Sequence, residues 1–159
     1  WRFTVNYSEQ IDTHLPARDA EITGKLKRSS IHPNDSFIEN WIDMDDFIFW
    51  EIDVMDKSSA EVELYYTLPE ESKGTKIAIE YQNKFYEKVL NESFDSDLFG
   101  QENDIVERSE SYNKEFKKIN MGKIEFDEGK SVLKLKTLDK AGDKSIDFRL
   151  LIIKKISWF

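Results

Sequence analysis

The sequence has no cysteine, which excludes disulfide bonds, thiolate metal sites and cysteine nucleophiles. It has only two histidines, His14 and His32, which lie on different segments with no metal-ligand spacing around them. We therefore expect both to be surface or loop residues rather than metal ligands or catalytic bases. The six glycines occur singly, so the sequence has no glycine-rich loop of the kind that binds a phosphate group.

Long apolar runs are also missing, and so is a surplus of positive charge. No stretch approaches the roughly 20 apolar residues that a membrane-spanning helix needs, so we expect no membrane contact. Lys and Arg number 23 against 32 Asp and Glu, which gives a formal charge of −9. Because an acidic surface repels phosphate backbones, we expect no nucleic acid partner.

With no catalytic signature among its residues, the chain is predicted not to be an enzyme.

Aromatic residues are abundant, with 4 Trp, 6 Tyr and 11 Phe. That much aromatic surface must be buried or used, which argues against disorder. Apolar and polar residues alternate, most clearly in Phe47–Val54, where Ile48 and Trp50 share an inward face. The opposite face begins with Phe47 and Phe49 and is partly wet. Similar alternation predicts further strands at 61–66, 76–81, 84–89, 123–126, 131–136 and 148–153.

Short alternating strands separated by turns predict an all-β fold, an antiparallel β-sandwich of the jelly-roll type. The pair Gln82-Asn83 predicts a tight connection between two strands, and residues 127–130 predict a hairpin turn between two others. The strand at 148–153 is apolar on both faces, as expected of a central strand.

The length of 159 residues fits one domain. Residues 15–156 are expected to form the sandwich. A leading linker or edge strand is expected at 1–14, and a tail at 157–159.

Two aromatic residues lie near predicted loop ends. Trp41, with Asn40 beside it, precedes the strand that begins at Phe47, and Tyr112 ends a long polar segment at 91–112. The C–H face of a sugar ring packs on an aromatic plane, while its hydroxyl groups need donors and acceptors nearby. Trp41, Asn40 and Tyr112 are therefore candidate carbohydrate-binding residues. The alternative for Trp41 is that it caps the hydrophobic core.

A series of short motifs follows in order along residues 15–156. They are Leu15-Pro16-Ala17-Arg18-Asp19, Lys27-Arg28-Ser29, Pro33-Asn34-Asp35-Ser36-Phe37, Asn40-Trp41, Glu61-Val62-Glu63-Leu64-Tyr65-Tyr66-Thr67, Glu102-Asn103-Asp104 and Glu110-Ser111-Tyr112. This series resembles the domain at the C-terminal end of many bacterial arylsulfatases of the type-I, formylglycine-dependent class. Formylglycine forms from Cys or Ser in a C/S-x-P-x-R signature, and the near match at 14–18 has His14 in that position. The resemblance therefore implies an appended module and not the catalytic domain.

A second set of motifs comprises Ala20-Glu21-Ile22-Thr23-Gly24, Phe37-Ile38-Glu39-Asn40, the strand through Trp50 and a closing Asp147-Phe148. It is similar to family 6 and family 35 carbohydrate-binding modules, which are galactose-binding-like jelly rolls. Family 6 modules usually hold a structural calcium between an acidic residue near the first strand and an Asp on the last strand. By order along the chain, the resemblance makes Asp147 the last-strand ligand, but Arg18 stands at the first-strand position. We therefore expect no cofactor, with Arg18 pairing with Asp147 in place of the metal. The alternatives are that both side chains face solvent, or that Asp19 supplies a ligand for a structural calcium instead.

Modules of this type usually hold a sugar at one end of the sandwich, between two aromatic residues and a polar residue that closes the site. The closing loop here is residues 139–144, and it contains no Asn. It offers Lys140, Asp143 and Lys144 instead. The two lysines, together with Arg108, suit a sulfate or carboxylate group on an anionic sugar, although a solvated surface role is the alternative for all three cations.

We therefore predict a non-catalytic carbohydrate-binding module from a polysaccharide sulfatase. Its expected partners are a polysaccharide or oligosaccharide, sulfated ones included, and the covalently linked sulfatase catalytic domain. Tethering would raise the effective concentration of that domain at its substrate. The resemblance to bacterial enzymes of this kind implies a secreted, periplasmic or cell-surface location. The alternative is a structural or docking domain that packs on the catalytic domain and binds no glycan.

Overall fold

Twelve β-strands make up most of the residues described by a computed structural model, which are 3–5, 12–29, 36–93 and 116–158. The strands are β1 (Phe3–Val5), β2 (Thr13–Pro16), β3 (Glu21–Ile22), β4 (Lys27–Arg28), β5 (Ile38–Glu39), β6 (Phe47–Val54), β7 (Ser58–Thr67), β8 (Thr75–Tyr81), β9 (Lys84–Leu90), β10 (Lys117–Phe126), β11 (Gly129–Asp139) and β12 (Asp147–Trp158). Short 3₁₀ helices in the same ranges span Ala17–Asp19 and Glu70–Ser72. None of the helices in these ranges has the length and apolar character needed to cross a membrane.

The strands form two sheets of six strands each within the described ranges. The front sheet has the order β1-β6-β11-β8-β9, with β3 also paired to β6. The back sheet has the order β10-β7-β12-β5-β4, with β2 also paired to β12. The described strand pairs are antiparallel apart from β1, which runs parallel to β6. The predicted antiparallel β-sandwich is confirmed.

Side-chain alternation explains why these segments form strands that pack face to face. In β6 the residues Ile48, Trp50 and Ile52 are buried, while the residues between them are half-buried on the outer side. β12 is a central strand, as predicted, because it pairs with β7 on one side and with β2 and β5 on the other.

The core fills the space between the two sheets with aromatic and branched side chains. The Trp50 and Phe148 rings, one from each sheet, meet edge to face with centroids 5.6 Å apart. The Tyr81 and Phe126 rings also come one from each sheet, and they pack at a tilt of 57° with centroids 5.0 Å apart. All four side chains are 0–1% exposed. Burying one such side chain contributes about 1.5–3 kcal/mol, so these ring pairs help to hold the two sheets together.

The connection between β8 and β9 is a two-residue turn at Gln82 and Asn83, as predicted. Both residues have positive φ, 50° and 66°. Positive φ at both positions is the requirement of a type I′ turn, whose twist matches that of the flanking strands. The prediction of a tight turn is therefore confirmed by the backbone geometry.

The predicted hairpin at residues 127–130 is wrong, because the two strands on either side belong to different sheets. β10 pairs with β7 in the back sheet, whereas β11 pairs with β6 and β8 in the front sheet. The chain crosses the sandwich here because Phe126 turns inward onto Tyr81 of the opposite sheet.

The ends of the described chain add strands to both sheets. β1 lies at the edge of the front sheet, within the segment 1–14. β2 begins at Thr13, two positions before the expected start of the sandwich. β12 continues to Trp158, so the last strand extends into the expected tail.

Candidate functional site

Three chain segments meet at one end of the sandwich, which we call the loop end: residues 40–46, 68–74 and 140–146. The Ser145 backbone N–H donates to the Trp41 carbonyl at 2.7 Å. The Ser72 hydroxyl donates to the Lys144 carbonyl at 2.8 Å. The structure thus brings the predicted site residues Asn40, Trp41, Lys140, Asp143 and Lys144 to the same end. Trp41 is the one among them whose surroundings exclude contact with a sugar, and the roles of the other four stay predictions.

Trp41 is a core residue, so its prediction as a sugar-stacking residue is wrong. Its side chain is 1% exposed, which leaves no ring face for a sugar. The indole Nε1–H donates to the Asp46 carbonyl at 3.2 Å. The alternative role, capping the hydrophobic core, is the one the structure has. For the same reason Trp41 offers no exposed surface to a docking partner.

Asn40 and Lys140 hold loops together. Asn40 has a φ of 65°, and its Nδ2 donates to the Lys25 carbonyl at 2.8 Å. The Lys140 ammonium donates to the carbonyl of Ile42 and, at 2.9 Å, to that of Asp143. These contacts use one of the two Asn40 amide donors and two of the three Lys140 donors, so both side chains are positioned by the loops and each keeps one donor for a ligand.

Asp147, the first residue of β12, is buried beside a lysine. Its side chain is 4% exposed, and its Oδ1 lies 3.6 Å from the Lys144 Nζ. Thr67 donates a hydrogen bond to its Oδ2 at 3.5 Å. Among the described residues, Lys144 is a cation beside Asp147, and the sequence suggested this lysine as a ligand for an anionic sugar.

The two calcium candidates, Asp19 and Asp147, each have a cationic neighbour. The Arg18 Nε lies 3.4 Å from the Asp19 Oδ2, and both side chains are exposed. The structure shows Arg18 beside Asp19 and Lys144 beside Asp147, and the proposed exchange of calcium for an Arg18–Asp147 pair stays a prediction. Within the described ranges no group of three or more His, Cys, Asp or Glu side chains could hold a metal ion. Among the described residues, Asp19 and Asp147 therefore have no cluster of further ligand side chains beside them, and each faces a cation.

Arg108 and Tyr112 lie outside the described residues, so their predicted roles stay predictions. The described residues that flank their segment are close together: the Lys117 ammonium forms an ion pair with Glu92. The hydrogen bond from Lys117, followed by its positive charge, lowers the pKa of Glu92 below its usual value.

The outer face of the front sheet carries an aromatic cluster that the sequence reasoning did not select. We call it the platform; it consists of Phe47, Phe49 and Phe85. The Phe47 and Phe49 ring centroids are 5.6 Å apart, with the ring planes tilted by 46°. Phe85, on β9, is 48% exposed, and the two β6 rings are half-buried. A surface with three phenylalanine rings is unusual unless something packs on it.

Charged groups from β8 and β11 lie among the platform rings. The Lys136 Nζ lies 5.7 Å from the Phe47 centroid and 5.6 Å from the Phe85 centroid, so it sits between the two strands that carry them. It also lies 2.6 Å from the Glu80 Oε1. Lys134 places its Nζ 4.9 Å from the Phe47 centroid. The platform therefore combines apolar ring faces with donors and an acceptor.

Strand register explains why these residues share a face. Directly paired residues of neighbouring strands point to the same side of a sheet. Lys134 is paired with Phe49 on one side and with Glu80 on the other, and Glu80 is paired with Phe85. The sequence signal was the partly wet face of β6, where Phe47 and Phe49 occupy the outward positions.

Comparison with known proteins gives matches of structure only. No protein-family model and no curated protein matches the chain. A family 35 carbohydrate-binding module from Clostridium thermocellum matches with a TM-score of 0.58 and 9% identity, over 89% of this chain and 97% of the module. The C-terminal family 6 module of LamC, a marine laminarinase from Zobellia galactanivorans, matches with a TM-score of 0.60 and 6% identity, over 90% and 98%.

A third match is to the mosquito-larvicidal Cry4Aa toxin from Bacillus thuringiensis, with a TM-score of 0.69 and 13% identity. It covers 99% of this chain and 25% of the toxin. This chain spans 12% to 28% of several matched proteins that are much longer. The matches show that the fold is the jelly roll of carbohydrate-binding modules. Because the fold is shared with a toxin, function must be argued from the site.

Proposed function

We propose that this chain is a non-catalytic carbohydrate-binding module and that it binds glycan on the platform. The observation that carries the proposal is the exposure of Phe85 beside Phe47 and Phe49, with the Lys136–Glu80 pair among the rings. The fold shared with family 35 and family 6 modules supports it.

The binding mechanism would be stacking combined with hydrogen bonds. The C–H face of a pyranose ring would cover the exposed Phe85 ring and exclude water from it. Hydroxyl groups at the ring edge would accept hydrogen bonds from the Lys136 ammonium and donate to the Glu80 carboxylate. Since these two groups are already 2.6 Å apart, they are held in place before the ligand arrives, which lowers the entropic cost of binding.

The wider biological role follows the resemblance in sequence. We place the module in a polysaccharide sulfatase, where it would hold the catalytic domain near a polysaccharide, sulfated ones included. A single weak site suffices for this task, because tethering raises the local concentration of the linked domain. Such an enzyme would work outside the cytoplasm, in the periplasm, at the cell surface or as a secreted protein.

A second candidate function is docking on a catalytic domain without glycan binding. It is favoured by Val89 and Val132, which lie on the same outer face as Phe85 and are 41% and 37% exposed. A face with both aromatic and aliphatic exposure also suits a protein partner.

Affinity electrophoresis through gels that contain single polysaccharides tests the proposal. The wild-type chain is compared with Phe85→Ala and with Met55→Ala, a matched control that is 50% exposed on the connection between β6 and β7. We expect at least one polysaccharide to retard the wild type and Met55→Ala equally. Phe85→Ala should lose about tenfold in affinity, since stacked aromatic residues contribute roughly 1–2 kcal/mol.

Melting temperatures separate loss of binding from loss of folding. Phe85 is half exposed, so its removal should leave the melting temperature close to that of the wild type. Absence of retardation by every polysaccharide, neutral or charged, would contradict glycan binding and favour docking. Tyr112→Ala in the same gels tests the aromatic residue predicted from the sequence alone.

A further inference from the structure

The two lysines on the platform have different electrostatic surroundings. The Lys136 ammonium forms an ion pair with Glu80 at 2.6 Å. Lys134 lies on the same strand, two positions away, with its Nζ 4.9 Å from the Phe47 ring centroid. Among the residues that the structure describes, no ion pair involves Lys134. One of the two cations is therefore neutralised and the other is not.

Glu80 is the acidic residue directly paired with Lys134 in the strand register, but its carboxylate forms an ion pair with another lysine. That lysine is Lys136, the next outward residue of β11. The face of Phe47 holds Lys134 in place through a cation–π contact. A ring face attracts the ammonium but does not accept its hydrogen bonds, so all three N–H donors stay available to a ligand.

We infer that the platform selects an anionic glycan and that Lys134 recognises its sulfate ester or carboxylate group. The inference rests on the proposed function, because it assigns the ligand class to the same site. The sugar ring would stack on Phe85, and the anionic substituent would replace water at the Lys134 ammonium. A charge-assisted hydrogen bond of this kind is stronger than one between neutral groups, and the nearby apolar rings reduce its screening by water.

The net charge of the chain opposes non-specific binding of anionic polymers. At a formal charge of −9, the protein repels polyanions in general. Retention of a polyanion would therefore need a local cationic site and could not result from the overall charge. Glu80 limits the site to one available cation, which suits a ligand with a single anionic group at this position.

Two pairs of polymers test charge selectivity. The first pair is κ-carrageenan and its desulfated form, and the second is polygalacturonate and its methyl-esterified form. In each pair the sugar backbone is shared and the charge differs. Dissociation constants are measured by affinity electrophoresis at several salt concentrations, together with a panel of neutral polysaccharides. The carrageenan pair reports on sulfate and the polygalacturonate pair on carboxylate.

Three variants assign the effect to Lys134. Lys134→Gln should weaken binding of the charged polymer about three- to tenfold, the range expected for a partly screened charge-assisted contact. Lys130→Gln is the matched control, since it removes the same charge from the same face of β11 and should have no effect. Glu80→Gln should strengthen binding, because it frees Lys136. Melting temperatures check that all three variants are folded.

The outcomes separate this inference from the proposed function. The inference is supported if either charged polymer binds more tightly than its uncharged form, and if salt and Lys134→Gln both weaken that binding. The polymer pair that shows the difference identifies the recognised group as sulfate or carboxylate. Equal binding of charged and uncharged forms overturns it, as does a Lys130→Gln effect as large as that of Lys134→Gln. Retention by neutral polysaccharides alone overturns the inference but leaves the proposed function standing. No retention by any polymer overturns both.

Discussion

The phenol of Tyr81 forms two hydrogen bonds with the backbone of Asp127. Its oxygen accepts from the Asp127 N–H at 3.0 Å, and its O–H donates to the Asp127 carbonyl at 3.2 Å. Tyr81 ends β8 of the front sheet, whereas Asp127 follows β10 of the back sheet. One side chain therefore satisfies both backbone groups of a residue at which the chain crosses between sheets.

We expect Tyr81→Phe to lower the free energy of unfolding by about 0.5–1.5 kcal/mol. The substitution keeps the ring in the core but removes the hydrogen bonds to the N–H and carbonyl of Asp127, and because Asp127 is exposed, water replaces the lost partner in part. Urea denaturation monitored by tryptophan fluorescence measures the change. Tyr86→Phe is the matched control, since Tyr86 is a half-buried tyrosine on the neighbouring strand. An equal loss in both variants would show that the two hydrogen bonds contribute nothing specific.

The free energy of unfolding should also fall at high pH, because the Tyr81 phenol is buried in the folded protein. Burial raises the pKa of Tyr81 above its usual value, and burial followed by the charge of Glu92 raises the pKa of Tyr66. A folded-state pKa above that of the unfolded chain favours the neutral phenol in the folded protein. The contribution is therefore fully present below about pH 10, where an unfolded tyrosine titrates, and is lost as the pH rises above it.

Denaturation in urea at pH 8, 10 and 11 measures this loss, and phenolate absorbance follows the titration directly. The wild type should lose more stability than Tyr81→Phe between pH 10 and 11, because the variant lacks one of the two late-titrating phenols. Identical pH profiles for the two proteins would contradict the assignment to Tyr81.

The strand positions could be predicted from the sequence, because the alternation of apolar and polar side chains depends only on residues one and two positions apart. The alternation in β6 predicted its bounds, and the two apolar faces of β12 predicted its central position. The crossing at residues 127–130 was not readable in this way. Its turn residues fit a hairpin, and only the packing of Phe126 on Tyr81 from the other sheet directs the chain across.

The site could be predicted less well, because exposure is a property of long-range contacts. Trp41 and Phe85 are both aromatic residues among polar neighbours in the sequence. The first is buried by the loop end, whereas the second remains half exposed at the edge of the front sheet. Nothing within a few residues of either one distinguishes these outcomes.

Trp41→Ala should therefore affect folding and not ligand contact. Removing a fully buried indole leaves a cavity and costs about 3–5 kcal/mol, a large share of the roughly 5–15 kcal/mol that stabilises a domain. Urea denaturation measures the loss. Ile42→Ala is the control, since the neighbouring side chain is 38% exposed and should cost far less. A Trp41→Ala variant as stable as the wild type would contradict the assignment of Trp41 to the core.

The Lys144 ammonium beside Asp147 should stabilise the folded protein. Lys144→Met keeps an unbranched side chain of similar length but leaves a carboxylate that is 4% exposed without the cation 3.6 Å away. We expect a loss of about 1 kcal/mol, since the substitution removes one of the favourable partners that offset the desolvation of the buried carboxylate, and the lysine is itself 37% exposed. The melting temperature measures the loss, and Lys130→Met, on the outer face of the front sheet, is the control. Because Lys144 supplies the positive charge, millimolar calcium or EDTA should leave the wild-type melting temperature unchanged. A rise with calcium would show that Asp147 belongs to a metal site and that Lys144 does not take its place.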